Sequence, residues 1–206
     1  MYRSTGDIHD SAESYRQIAI SQFDKLGASA PECFNDVDML TVGMYGKGGN
    51  EMISAGGCSD LEYQTHFALW CMMNSPLMIG CDIRNMSDAT KETLMNPDLI
   101  AINQDPECRS PYVIEPFGNR EDLPWDAPEV FVMVRPLSTG ELAIAFANFS
   151  DRDFPMNLEL WDAGIPTGQK VRFYDCISHE ETGVYTEHFT AMTKAHGCRI
   201  FRAKLI

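Results

Sequence analysis

The sequence has no apolar run close to the ~18–20 residues that span a bilayer, and it is poor in basic residues. Its 16 Lys and Arg residues are outnumbered by 30 Asp and Glu residues, which gives a formal net charge of −14. Binding of nucleic acid requires a basic surface that displaces counterions, so this charge argues against nucleic-acid and anionic-membrane partners. A neutral ligand such as a sugar is compatible with it, although the acidity itself indicates only a solvated surface.

The sequence also lacks paired cysteine motifs. Its seven cysteines form no CxxC pair and no zinc-ligand spacing, and their number is odd. Cys71 and Cys81 lie in very apolar stretches, which is typical of buried free thiols in a reducing compartment. The start at Met1 has no signal-peptide pattern, because no apolar core follows it. These observations predict a cytoplasmic protein.

Helical and strand-like patterns alternate up to about residue 105. Capping-box spacings at 10–13, with Asp10 as the cap, and at 59–62 each precede an amphipathic helix. The first helix is expected to continue to Gly27. Residues 77–83 form an apolar run without alternation, which predicts a strand buried on both faces.

Two shorter helices are predicted at residues 87–95 and 98–102. Alternation of this kind is typical of a parallel sheet or barrel. Only two or three strands precede residue 105, whereas a closed eight-stranded barrel needs ~250 residues. We therefore expect the chain to be truncated at its N-terminus.

After residue 105 the pattern changes to short strands separated by turn residues. A Pro/Gly-rich stretch at 111–128 predicts a long loop. Six strands are predicted, at residues 130–135, 141–149, 156–160, 170–176, 187–192 and 199–206. This part of the chain is therefore predicted to be an antiparallel β-domain.

One cluster of polar residues lies directly before the first predicted helix, in Arg3-Ser4-Thr5-Gly6-Asp7-Ile8-His9-Asp10. In a parallel barrel, catalytic groups lie where a strand ends and leads into a helix. A role as helix cap would account for Asp10. It would not account for Arg3 and Asp7, because both lie outside the helix that they precede. The alternative is a solvated loop with a surface ion pair.

A second cluster covers residues 35–43 and contains Asp36 and Asp38. Carboxylates two residues apart point to the same face of an extended segment, and holding like charges together costs energy unless donors or a cation compensate. The spacing therefore indicates a polar-ligand site. A turn stabilised by local Asn and Asp hydrogen bonds is the alternative.

Together these motifs resemble the latter half of the α-galactosidase and α-N-acetylgalactosaminidase family of retaining glycosidases, glycoside hydrolase family 27. The resemblance runs from Arg3 to about Pro106. It rests on Arg-x-x-x-Asp-Ile-x-Asp, Asn-Asp-x-Asp-Met-Leu, the helix at 63–70, the run at 75–83 and Ile-Asn-Gln-Asp-Pro at 102–106, in that order.

The resemblance implies an α/β plus all-β fold: the C-terminal part of a (β/α)8 barrel over residues 1–105, then an antiparallel β-sandwich over 106–206. It matches Asp7 to the general acid/base and Arg3 to a substrate-contacting arginine. Asp38 and Met39 match residues that line the sugar pocket. We expect Asp7 and Asp38 to face one cavity that is open to solvent. The reaction it implies needs neither a metal nor an organic cofactor.

The nucleophile that the resemblance implies belongs to a Lys-x-Asp motif on an earlier strand, and this sequence has no such motif. We therefore expect an α-galactosidase-like hydrolase that removes terminal α-linked galactose, represented here by half of its site and inactive alone. Its expected partners are α-galactoside saccharides, the missing N-terminal barrel half or a second copy. The alternatives are a non-catalytic carbohydrate-binding protein and a structural piece that pairs with a separately encoded half.

Overall fold

The computed structural model of the chain describes residues 1–48, 55–114 and 129–206. It forms two compact units, Met1–Ser110 and Pro111–Ile206. Most of the loop expected at 111–128 lies outside the described residues. None of the helices in the described part of the chain combines the length and the apolar character of a bilayer-spanning helix.

The first unit contains short parallel strands joined by helices. Strand β1 (Tyr2–Arg3) pairs in parallel with β2 (Asn35–Asp36). A parallel bridge then joins Leu40, just after β2, to Ile79. Consecutive segments separated by helical crossovers thus lie side by side in one direction, as they do in the wall of a (β/α)8 barrel.

Helix α1 spans Ala12–Ile20, and its N-cap is Ser11, whose side chain accepts a hydrogen bond from the Ser14 amide. The prediction that Asp10 caps this helix is wrong, because the Asp10 carboxylate is fully buried and bonded elsewhere. The helix also ends before Gly27, at Ile20, and short turns follow it.

Helix α2 (Asp60–Met72) confirms the second capping box, since Ser59 accepts from the Glu62 amide while the Glu62 side chain accepts from the Ser59 amide. The prediction of an amphipathic helix is wrong for its later turns, where every residue from Thr65 to Met72 is buried. It contacts helix α1 and two further helices, α3 (Asp88–Leu94) and α4 (Pro97–Asn103). The helices predicted at 87–95 and 98–102 are therefore confirmed.

The predicted strand at 77–83 is wrong over most of its length. Only Ile79 forms a bridge, and the run ends in a 3-10 turn at Ile83–Asn85. Met78 and Ile79 are each about half exposed. An apolar run becomes a doubly buried strand only when neighbours cover both of its sides, and in the described part of the chain its strand-like pairing is with Leu40 alone.

The second unit is an antiparallel β-sandwich. One sheet has six strands in the order β3-β4-β5-β10-β7-β8, and the other pairs β6 with β9. Their bounds are β3 Tyr112–Ile114, β4 Val130–Pro136, β5 Leu142–Asn148, β6 Phe154–Glu159, β7 Val171–Asp175, β8 Glu180–Tyr185, β9 His188–Thr193 and β10 Cys198–Leu205. All six predicted strands are confirmed, with ends within two residues.

Strands β3 and β8 were not predicted. Strand β8 has the sequence Glu-Glu-Thr-Gly-Val-Tyr, has no fully buried residue and lies at the sheet edge. It therefore lacks the apolar alternation that marks a strand with one buried face.

Phenyl rings from both sheets meet in the core of the sandwich. Phe146, Phe173 and Phe201 come from the six-stranded sheet, and Phe189 comes from the two-stranded sheet. The rings of Phe173 and Phe189 stack with centroids 4.0 Å apart. These contacts hold the two sheets face to face.

Candidate active site

The two sequence clusters meet at the ends of β1 and β2. Because parallel strands end at the same edge of a sheet, residues that follow β1 lie beside residues that follow β2. Arg3 Nη2 donates to Asp7 Oδ1 at 3.0 Å and also to Asp38 Oδ2. The same nitrogen is 3.0 Å from the main-chain oxygen of Gly6. One guanidinium group therefore bridges the two carboxylates that the sequence singles out.

Asp38 is held from several directions. Its Oδ2 also accepts from the Ile8 amide at 2.6 Å, and its Oδ1 accepts from the Met39 amide at 2.7 Å. Its own amide donates to Asp36 Oδ1 at 3.0 Å. The side chain is only 12% exposed. Asp38 thus anchors the segment after β1 to the segment after β2.

The backbone of Asp38 has an uncommon conformation, with φ at 86°. A non-glycine residue in this region costs on the order of 1–3 kcal/mol and persists only when its surroundings fix it. The indole Nε1 of Trp70 donates to the Asp38 carbonyl at 2.7 Å. Because Trp70 belongs to helix α2, this helix stabilises the backbone conformation of Asp38.

Asp7 differs from Asp38 in exposure. Its side chain is 88% exposed and its Oδ1 is bonded to Arg3. Among the described residues, no donor bonds its Oδ2. Arg3 itself is about one third exposed. The bridge thus fixes one oxygen of Asp7 and leaves the other available to a ligand.

A cavity of about 640 Å³ lies beside Asp7 and extends along helix α1. Most of the residues that line it are of polar types, among them Asp7, His9, Glu13 and Gln17. Asp38 and Met39 are not among the residues that line it. A single cavity shared by Asp7 and Asp38 therefore stays a prediction.

Met39 packs over the neighbouring segment of the sheet. A Cβ atom built on Gly80 would lie 2.6 Å from Met39 Cε and 2.9 Å from the Leu40 carbonyl oxygen. The absence of a side chain at Gly80 thus permits Met39 and the Leu40–Ile79 bridge to occupy this space together. Gly80 is a local requirement of the site that the apolar pattern of its segment did not indicate.

Asp10 and Tyr63 form a buried network that sequence reasoning missed. Asp10 Oδ1 accepts from the Tyr63 hydroxyl at 2.8 Å and Asp10 Oδ2 accepts from the Gly46 amide at 2.7 Å. The Tyr63 oxygen accepts in turn from the amides of Tyr45, at 2.7 Å, and Cys58, at 3.2 Å. Burial, together with the charge of Asp10, raises the pKa of Tyr63. The only signal in the sequence was the position of Asp10 before a helix.

His66 is a packed core residue, as predicted. It is fully buried, stacks on Tyr15 with ring centroids 5.3 Å apart and meets Trp70 edge-on at 4.1 Å. Burial lowers the pKa of His66 to about 3. The ring is therefore neutral near pH 7, and it supports the same Trp70 that bonds to Asp38.

Comparison with known proteins agrees with this arrangement. The family model described as Alpha galactosidase A matches residues 1–105. The chain belongs to the α-galactosidase family, glycoside hydrolase family 27. A second model, for the α-galactosidase C-terminal β-sandwich domain, matches residues 128–203.

Individual family members show how much of their length this chain represents. It is 30% identical to the α-galactosidase of Cyamopsis tetragonoloba, over 97% of this chain and 44% of that protein. It is 31% identical to α-galactosidase 3 of Arabidopsis thaliana, over 97% of this chain and 42% of that protein. The chain spans less than half the length of these relatives.

Solved structures show the same fold. The Saccharomyces cerevisiae α-galactosidase with raffinose superposes with a TM-score of 0.78, at 19% identity, over 94% of this chain and 52% of that chain. The α-galactosidase I of Mortierella vinacea gives a TM-score of 0.77 at 22% identity, over 98% of this chain and 52% of that chain. The fold class is accordingly the C-terminal part of a (β/α)8 barrel followed by a β-sandwich.

Proposed function

We propose that the complete protein containing this chain is a retaining α-galactosidase that removes terminal α-linked galactose, with Asp7 as its acid/base. Arg3, Asp38 and Met39 are the proposed sugar-contacting residues. The observation that carries the proposal is the Arg3 bridge, which joins an exposed carboxylate to a buried one where parallel strands end. The substrate class is supported by the α-galactosidase relatives at about 30% identity.

The geometry suits a carboxyl group that exchanges a proton with a leaving oxygen. Arg3 holds Asp7 Oδ1, so Oδ2 is the atom that gives a proton to the departing sugar oxygen and later takes one from water. The Ile8 amide, bonded to Asp38, limits movement of the residue next to Asp7. Asp38 therefore contributes by keeping Arg3 and Asp7 in place.

Double displacement also requires a carboxylate nucleophile ~5–5.5 Å from the acid/base. The sequence has no Lys-x-Asp motif to supply it. On this proposal the nucleophile comes from residues outside these 206, so the isolated chain has no hydrolase activity. It gains activity only when an N-terminal barrel half completes the site.

The compartment is also a proposal. None of the seven cysteines is in a disulfide bond in the structure, which supports the proposal of a reducing, cytoplasmic location. Fractionation of cells that produce the natural protein, with the reactive thiols counted, tests it. Recovery outside the cytoplasm with paired cysteines would contradict it.

The Asp7→Asn substitution tests the enzymatic proposal in the complete protein. Loss of the acid/base is expected to lower kcat/KM for an α-galactosyl disaccharide by about 10²- to 10⁴-fold. Asp88→Asn, a substitution of an exposed aspartate on α3, is the matched control and should leave kcat/KM unchanged.

A carbohydrate-binding protein without catalysis is the rival function. It predicts that the complete protein binds galactosides and hydrolyses neither α-galactosides nor α-N-acetylgalactosaminides. That result would end the enzymatic proposal. Hydrolysis that is undiminished in Asp7→Asn would retain the enzyme but remove Asp7 from its role.

A further inference from the structure

The segment that carries Asp7 is fastened on both sides. On one side the Ile8 amide donates to Asp38. On the other side Asp10 is linked to four main-chain amides that we call the loop base. Its carboxylate accepts from the Gly46 amide and its main-chain carbonyl accepts from the Gly57 amide. The Tyr63 hydroxyl, which donates to the carboxylate, accepts from the amides of Tyr45 and Cys58. Asp7 lies between these two attachments, and its own side chain projects into solvent.

We propose that Asp10 is a positioning residue for Asp7, acting with Tyr63 through the loop base. The inference rests on the proposed function, since it assigns Asp10 a part in the same acid/base step. Asp10 does not itself reach the reacting atoms, because it is fully buried. It acts by holding the main chain from which Asp7 projects.

Local structure does not require a carboxylate at this position. Ser11 caps helix α1, so the helix does not depend on Asp10 for its cap. Burying a carboxylate costs free energy unless charges or hydrogen bonds compensate. In the described residues Asp10 takes part in no ion pair, and its carboxylate is compensated by the Gly46 amide and the Tyr63 hydroxyl. The buried Asp10 carboxylate, which is costly in free energy, is therefore accounted for by the link that it makes between the Asp7 segment and the loop base.

An amide side chain at position 10 cannot make all the hydrogen bonds that the Asp10 carboxylate makes. The Tyr63 hydroxyl has one hydrogen, which it donates to Asp10, and two acceptor sites, which the Tyr45 and Cys58 amides occupy. The second Asp10 oxygen faces the Gly46 amide. An asparagine would bring an NH2 group against one of these donors, so Asp10→Asn is expected to loosen the side-chain attachment of the loop base, while the Gly57 amide keeps its bond to the main-chain carbonyl of residue 10.

Leaving-group dependence separates positioning from general damage. An α-galactosyl disaccharide needs a proton on its departing oxygen, whereas a 2,4-dinitrophenyl α-galactoside does not. In the complete protein, Asp10→Asn is expected to lower kcat/KM for the disaccharide by about 10- to 100-fold, because misplacing a catalytic group by about 1 Å costs on the order of 100-fold. For the dinitrophenyl substrate the loss is expected to stay below about threefold. Tyr63→Phe should show the same pattern with a smaller loss.

Asp175→Asn is the matched control. Asp175 is an aspartate of the second unit that is 1% exposed and bonded to Arg199. Its substitution should lower kcat/KM by the same factor for both substrates, and that factor should equal the loss of folded protein seen in a thermal melt. Should Asp10→Asn fail to fold, Tyr63→Phe supplies the measurement.

Two results would overturn the inference while leaving the proposed function in place. One is an equal loss for both substrates in Asp10→Asn and Tyr63→Phe, which indicates a structural role only. The other is no loss for either substrate in folded variants. A wild-type protein that hydrolyses neither substrate overturns the proposed function and this inference with it.

Discussion

The two units of this chain differ in how their strands are completed. In the second unit every strand of the described sheets pairs over three to eight residues within the chain. In the first unit β1 and β2 pair over two residues each, and the apolar segment near Ile79 has a single bridge. Strand patterns therefore become regular strands where the chain itself supplies the partners, whereas the helices of the first unit form from local signals.

The largest expected effect is in the sandwich core. Phe173→Ala removes a ring that stacks on Phe189 and is fully buried. We expect the free energy of unfolding of the second unit to fall by about 3–5 kcal/mol. Hydrogen exchange of the β7 and β10 amides measures it.

Val184→Ala, at an exposed position on the edge strand β8, is the control and should change the free energy by less than about 0.5 kcal/mol. A loss for Phe173→Ala no larger than this would show that the sheets do not depend on their shared aromatic core. The contrast between a completed sandwich and an incomplete barrel wall would then lose its energetic basis.

Acid should destabilise the first unit through His66. The pKa of His66 is lowered by burial to about 3 in the folded state, while the unfolded value is about 6.5. Protons thus bind the unfolded state preferentially between these values. The contribution of neutral His66 to the free energy of unfolding is complete above about pH 6.5. It falls by about 1.4 kcal/mol per pH unit as the pH drops from there towards about 3.

Urea unfolding at several pH values, followed through the α2 amides, measures this slope. His66→Phe removes the titrating group and should remove its share of the slope. An unchanged slope in a folded His66→Phe variant would assign the acid sensitivity to other groups.

The smallest effect is expected at the helix caps. Ser59→Ala should destabilise α2 by about 1 kcal/mol because it removes the acceptor for the Glu62 amide. Ser11→Ala should act alike on α1, since Ser11 accepts from Ser14. Thermal melts of the two variants measure these losses of stability. If Ser11→Ala has no effect, the assignment of the α1 cap to Ser11 is wrong.

Prediction from sequence succeeded where a signal is local or where its partners are in the chain. The Ser59–Glu62 box, the two short helices and six sandwich strands could all be predicted from spacing and turn residues. The strand at 77–83 could not, because apolarity describes a segment without saying what pairs with it. Strand β8 was missed for the opposite reason: its residues are mostly polar and give no strand pattern, yet they pair with a neighbouring strand through their main chain.

For the candidate site, the sequence indicated which carboxylates matter but not how they differ. Asp7 and Asp38 look alike in sequence, yet one is 88% exposed and the other 12% exposed. Asp10 was misassigned because capping depends on one residue of register, and its partners Gly46 and Tyr63 lie 36 and 53 positions away. No local pattern encodes such contacts.

The Arg3 bridge has a consequence that follows from counting hydrogens. Nη2 carries two hydrogens, yet three oxygens surround it, on Gly6, Asp7 and Asp38. At least one of these hydrogens is therefore shared between two oxygens. An incoming molecule can replace one of the three oxygens without leaving a hydrogen of the arginine unpaired.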